Sequence, residues 1–213
     1  VRATIVTIQT TIQPANKSYT HTIVIANNRA RSTDEADQWR LFDFAQKQVT
    51  YVDDIAHTVR VQSFADAIAA RRAAVARPIP DALPRAQFTV TNAQKTLQGI
   101  ATKQSVIRLG TYQRELWIGS HPLIPRGLFA MLQASEPASS PLAGITRAVD
   151  EALMEVQGFP LADHAELTDE NKKLVVDNTV VKIEQREVSA TLLTVNGKYA
   201  EVKAAPVSSR SSQ

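Results

Sequence analysis

Residues 39–64, WRLFDFAQKQVTYVDDIAHTVRVQSF, decide the fold. Trp39 to Phe44 is aromatic and apolar, Gln48 to Val52 is β-branched and aromatic, and His57 to Val61 alternates. Ala45-Gln46-Lys47 and Asp53-Asp54-Ile55-Ala56 separate the three runs. Val49 and Tyr51 share one face, and Thr50 and Val52 the other. Val59 and Val61 face away from Thr58, Arg60 and Gln62. A period of two predicts antiparallel strands with one face buried.

The same grammar extends toward the N-terminus. Val1 to Gln13 is rich in Thr, Ile and Val, with Thr4, Val6, Ile8, Thr10 and Ile12 on one face. Pro14 to Lys17 is a turn, Tyr19 to Ala26 the return strand, and Asn27-Asn28 the next turn, because asparagine tolerates positive φ. Arg29 to Thr33 is a short strand. The period changes at Phe64, where Phe64, Ile68, Arg71 and Val75 recur at helical spacing among alanines. Pro78 constrains the residue before it and ends this helix near Arg77.

Toward the C-terminus Phe88 to Thr91 resumes the sheet. Leu97 to Leu109 and Gln113 to Ile118 form a hairpin closed at Gly110-Thr111, with Gly99 marking a bulge or a close backbone approach. Leu123 to Ala134 predicts a short helix. Pro141 to Val156 predicts another, with Leu142, Ile145, Val149, Leu153 and Val156 as its apolar stripe, Ser140 as N-cap and Gly158 as its stop. Leu161 to Leu167 and Lys173 to Val188 are strands around a polar turn. Ala190 to Val195 is a short helical turn or a last strand, and Tyr199 to Val202 an edge strand. Strands flank two or three helices without regular strand–helix alternation. The fold class is therefore α+β: a large curved antiparallel sheet, a half-barrel, with the helices on its concave face. One domain over residues 1–205 is expected, with 206–213 as a frayed tail.

Composition narrows the function. A hydrophobic fraction of 44% with 21% charged residues belongs to a folded chain. The net charge of +3, from 24 basic and 21 acidic residues, is too small to argue for nucleic acid. No cysteine is present, which excludes disulfides, thiolate-bound zinc and cysteine catalysis. No apolar run approaches the roughly 20 residues a membrane helix needs, leaving at most peripheral membrane contact. No phosphate loop, dinucleotide fingerprint or nucleophile elbow occurs. No catalytic residue, metal ligand or cofactor is assigned.

Several clusters invite chemistry and have a plainer reading. Asp53, Asp54 and His57 offer metal donors, but aspartate is a standard turn former. His164-x-Glu166 resembles part of a deaminase signature whose cysteines are missing. His21 reads as a strand histidine rather than a ligand. Arg71, Arg72, Arg77 and Arg85 suit an anionic surface or a solvated helix face. The large apolar side chains Trp39, Phe42, Phe44, Tyr51, Trp117, Leu128, Phe129, Ile145, Val149 and Leu153 line either an apolar cavity or a closed core.

The order of features, "RARSTDE", "WRLFDFAQKQVTYVDDIAHTVRV", "LQGIATKQSVIRLG", "ELWIGSHPLIP", "GFPL", "NTVVKIEQREV" and "LLTVNGKY", resembles bacterial secreted proteins of unassigned function with a LolA/LppX-like, lipoprotein-carrier-type unclosed β-barrel. The likeness spans about Ile5 to Tyr199. The chain departs from the pattern at Ala101, where relatives often carry cysteine, and at Asn196, where a proline is expected. The resemblance implies a periplasmic or otherwise exported protein, its signal peptide removed ahead of Val1. It implies a non-enzymatic carrier for a lipid, an acylated partner or another apolar ligand. The alternative is a structural or partner-binding envelope protein with a closed core and no ligand.

Overall fold

The computed structural model describes residues 1–35, 37–75, 86–135, 149, 152–154, 156–169 and 172–202. The decisive stretch forms three antiparallel strands, β4 (Gln38–Asp43), β5 (Gln48–Asp53) and β6 (Thr58–Ser63). Aspartates build both of its turns. Asp43 Oδ1 accepts the N–H groups of Ala45 and Gln46 at 3.0 and 2.9 Å, and Lys47 takes a positive φ of 54°. Asp53 Oδ1 accepts from Ala56 at 2.7 Å, and His57 follows at φ 49°. These are Asx-type turns, in which a short carboxylate stands in for a backbone acceptor.

Before them run β1 (Arg2–Gln13), β2 (Lys17–Ala26) and β3 (Arg29–Glu35), with Asn27 and Asn28 both at positive φ between β2 and β3. After them come helix α1 (Phe64–Val75), then β7 (Gln87–Leu97), β8 (Ile100–Leu109), β9 (Tyr112–Gly119), helix α2 (Leu128–Ala134), β10 (Phe159–Asp169) and β11 (Lys172–Glu187). A 3-10 turn (Ala190–Leu193) and a two-residue strand β12 (Ala200–Glu201) close the described chain. All twelve strands belong to one open, curved sheet in the order β12-β6-β5-β4-β3-β2-β1-β11-β10-β9-β8-β7. The fold is α+β, with an antiparallel-dominated sheet.

The order has a simple logic. Two meanders, β1–β6 and β7–β11, are joined at the centre where β1 pairs antiparallel with β11, from Arg2↔Glu187 to Gln13↔Val175. Ser63 starts α1 as its N-cap: its Oγ accepts from the Asp66 N–H at 3.0 Å and donates to the Asp66 carboxylate at 2.7 Å. Among the described strands the one parallel pair is β12 on β6.

Two expectations change. The sheet is not buried on one face only. Val6, Ile8, Ile23, Phe42 and Val49 belong to a large core with α1 and α2, whereas Ala3, Ile5, Ala26, Trp39, Leu41 and Val52 form a second core on the opposite face with Leu193. The run from Leu97 to Leu109 is not one strand with a bulge at Gly99. Gln98 and Gly99 take φ of 50° and 74° and make the two-residue turn between β7 and β8. Successive positive φ values match the twist of a tight hairpin, a demand that a single glycine in sequence does not announce. Gly158 marks a close approach of two backbones. Its φ is 120°, and a Cβ there would lie 2.6 Å from the Gly119 carbonyl oxygen.

Candidate functional site: the helix-covered face of the sheet

Period two assigns each strand side chain to a face. In β4, Phe42 and Arg40 face the helices, while Trp39 and Leu41 face the second core. In β9, Tyr112 and Leu116 belong to the main core, and Arg114 reaches Gln133 on α2. Trp117 therefore lies on the other face, where Lys95 Nζ sits 3.8 Å from its ring centroid and its Nε1 donates to Glu115.

The ten side chains expected to line one cavity accordingly divide. Phe42, Leu128, Val149 and Leu153 are at 0% exposure and Phe129 at 6%, all in the main core. Phe44 and Tyr51 are half-buried against that core, Phe44 edge-on to Phe64 with ring centroids 5.4 Å apart. Trp39 and Trp117 do not join them, because their residue parity turns them to the opposite face. Ile145 lies outside the described residues, as do Leu142 and the start of the expected helix. Val149 and 152–154 are helical, and Val156 is buried in the same core.

A buried polar row crosses this face and was not anticipated. Arg114 Nε and Nη2 donate to the two oxygens of Asp163 at 2.8 and 2.7 Å, and both side chains are 7% exposed. Asn178 Nδ2 donates to Asp163 at 3.2 Å, and Thr10 Oγ1 donates to Asn178 Oδ1 at 2.8 Å. The row thus links β9, β10, β11 and β1. Above it, Arg114 reaches Gln133 at 3.4 Å, while Arg40 donates to the Leu132 carbonyl at 3.0 Å and to Ser135 Oγ at 2.7 Å. Two arginines from the sheet therefore hold α2. A signal was present in sequence: Leu161, Asp163, Ala165 and Leu167 alternate as an inward row, and a carboxylate in such a row requires a cation or several donors.

The remaining clusters fall into place. Asp54 accepts from Trp39 Nε1 at 3.1 Å and from the Tyr199 hydroxyl at 2.6 Å, and Asp53 also accepts from Gln38. The Asp54 hydrogen bond raises the Tyr199 phenol above its ordinary range. No group of three or more metal-ligating side chains occurs among the described residues. His164 lies 2.6 Å from Asp177 and 3.7 Å from Glu166, which Lys173 also reaches at 2.9 Å. The hydrogen bond that the imidazole donates to Asp177 raises the His164 pKa. His21 is half-buried beside Tyr19. Arg71 is buried, so it does not contribute to an exposed basic patch; Arg77 and Arg85 lie outside the described residues.

No family model matches the chain. No curated protein matches it either. Among solved structures it resembles PNGF-II in a C2 crystal form, with a TM-score of 0.51 and 11% identity over 97% of this chain and 32% of that one. PNGF-II in a P21 form gives a TM-score of 0.47 and 10% identity over 96% and 32%. The chain thus spans about a third of the length of the structures it matches. At this identity the likeness speaks for the fold alone.

Proposed function

We propose that this chain is a non-enzymatic, partner-binding module of an exported protein, with a closed interior rather than a ligand container. The observation that supports this reading is the filling of the helix face. Phe42, Leu128, Val149 and Leu153 have no exposed surface and share one core. An acyl-chain site instead needs a cleft of about 300 Å³ or more between such side chains. The outer edge of β7 suits a partner. Among the described residues it ends the sheet, and Phe88 and Val90 on it are 39% and 58% exposed. An open edge with apolar side chains favours pairing with an extended segment of another chain. The exported location rests on the LolA/LppX-like resemblance.

That resemblance also keeps the carrier as a second reading. The specific observation in its favour is the tether of α2: Arg40 and Arg114 hold the helix by hydrogen bonds that a lid can break and remake. In this reading Phe42, Leu128, Phe129, Val149 and Leu153 line the space that opens when α2 lifts. Organic extraction of the native protein, followed by lipid mass spectrometry and titration with an apolar fluorescent probe, separates the two. A blank in both supports the closed module. A stoichiometric acyl species overturns it in favour of the carrier.

A further inference from the structure

The chain after β11 crosses the outer face of the sheet to its far edge. Val188 is the last residue fixed to the sheet centre, exchanging backbone hydrogen bonds with Val1 at 2.8 and 2.9 Å. Beyond it, residues 189–202 form a strap. Leu193 is its one buried residue in the 3-10 turn and enters the core of Ala3, Ile5, Ala26, Trp39, Leu41 and Val52. Arg29 and Arg31 donate to the Leu193 and Leu192 carbonyls at 3.2 and 3.4 Å. Tyr199 reaches Asp54 at 2.6 Å, beside Trp39 with the Arg31 guanidinium 3.9 Å over its ring. Ala200 and Val202 N–H groups donate to the His57 and Val59 carbonyls at 2.9 and 2.7 Å.

Each of these contacts joins the strap to strands β3–β6 or to the core beneath it, and none needs the strap to come from the same chain. The strap brings little cohesion of its own. Its regular structure is a four-residue 3-10 turn and a two-residue strand, and Leu192 and Val202 are exposed. The groove it covers is not self-sufficient, because lifting the strap takes Leu193, Val195 and Tyr199 out of the core that holds Ile5, Leu41 and Val52. An opened copy therefore regains its losses most completely from an identical strap.

We propose that residues 189–202 are an exchangeable strap, and that the groove beneath them is an interaction surface for the strap of a second copy of this chain. Ser189 is the hinge, in extended conformation at φ −64° and ψ 136° directly after the Val188 anchor. In the exchanged pair each copy supplies Leu193 and Tyr199 to the other's groove. Exchange of an identical element is a low-cost route to a dimer, because every contact is reused and only the hinge changes.

The absence of cysteine makes the test clean. Thr58 and Ala200 are register partners across β6 and β12. Neighbouring strands lie about 4.8 Å apart, within the roughly 4.4–6.8 Å between Cα atoms that a disulfide spans. One full-length chain carries Thr58→Cys and another Ala200→Cys. They are mixed at high concentration, incubated and oxidised, with mass tags distinguishing the copies. Exchange gives the mixed 58–200 disulfide in excess over the share that random thiol pairing yields, with dimer growing as concentration rises. Adding Leu193→Asp to the Ala200→Cys chain then abolishes the excess, while circular dichroism checks that the sheet persists. A mixed disulfide at or below the random share overturns the proposal. So does an excess that survives Leu193→Asp in a folded chain. A chain carrying both cysteines controls for geometry: if it closes its own 58–200 bridge, a missing mixed disulfide reports absent exchange rather than poor alignment.

Discussion

Asp163→Ala tests how much of the helix face depends on its buried ion pair. The substitution removes the acceptor of both Arg114 bonds to Asp163 and of the Asn178 amide, and takes the Asp163 carboxylate away from a guanidinium at 7% exposure. Breaking one side of such a pair costs about 3–5 kcal/mol, since the surviving charge stays desolvated. Against a typical total of about 5–15 kcal/mol, that is a large share of the stability. For a chain of this length each kcal/mol shifts the melting temperature by about 2–4 °C, so Tm falls by roughly 10 °C. Urea unfolding followed by fluorescence of the two tryptophans, with thermal circular dichroism, measures both quantities. The companion double substitution, Arg114→Met with Asp163→Leu, replaces the pair by apolar volume and recovers most of the loss, because the desolvation penalty disappears with the charges. A loss under about 1 kcal/mol for Asp163→Ala, the range of a solvated pair, refutes the claim that the pair is buried and tightly coupled.

Two further outcomes follow from single positions. Gly158→Ala meets the Gly119 carbonyl at 2.6 Å and holds an L-residue at φ 120°; it destabilises by about 1–3 kcal/mol, read from the urea midpoint, and a neutral result sinks the close-approach argument. For His164, Asp177 and then Glu166 raise the folded-state pKa above the ordinary 6.5, so this contribution to stability is fully present below pH 6.5 and is lost as pH rises through the folded value. Because the imidazole is 43% exposed, the effect is modest, and it is carried by the difference between urea midpoints on either side of that window. His164→Gln removes this pH dependence; an unchanged profile means that the contact does not hold in solution.

How much of this was legible in sequence depends on the kind of signal. Alternation over Val49–Val52 and the aspartates at 43 and 53 act locally, so the strands and turns of the decisive stretch read directly. The Asn27-Asn28 turn and the strands flanking 170–171 read for the same reason. The grouping of Trp39 and Trp117 with Phe42 failed because it followed size instead of parity. Positions 39 and 42 lie three apart, which in a strand puts them on opposite faces. The Arg114–Asp163 pair was invisible for another reason. Its members are 49 residues apart, and only the pairing of β9 with β10 brings them together. A carboxylate in an inward row signals that a partner is required without saying which.

The second core follows from chain path more than from composition. An antiparallel sheet usually leaves one face to water, and its strands then show clean alternation. Here β1 is different: Ala3, Thr4, Ile5 and Val6 are all buried in succession. The reason is that β1 and β11 meet at the centre while two connections run in opposite senses. From β6 the chain goes by way of α1 to β7 at the other edge, and α1 contributes Ala67 to the main core on the helix face. From β11 it crosses the outer face back to β6, burying Leu193 on the way. The central strands are therefore covered on both sides, and the edges inherit unequal fates. The strap gives β6 a neighbour in β12, and Tyr199 pins that neighbour to Asp54. Among the described residues no strand stands beyond β7, where Phe88 and Val90 stay exposed. The chain, among the described residues, thus gives one edge of the sheet a partner strand, β12 on β6, and gives none to the other edge, β7.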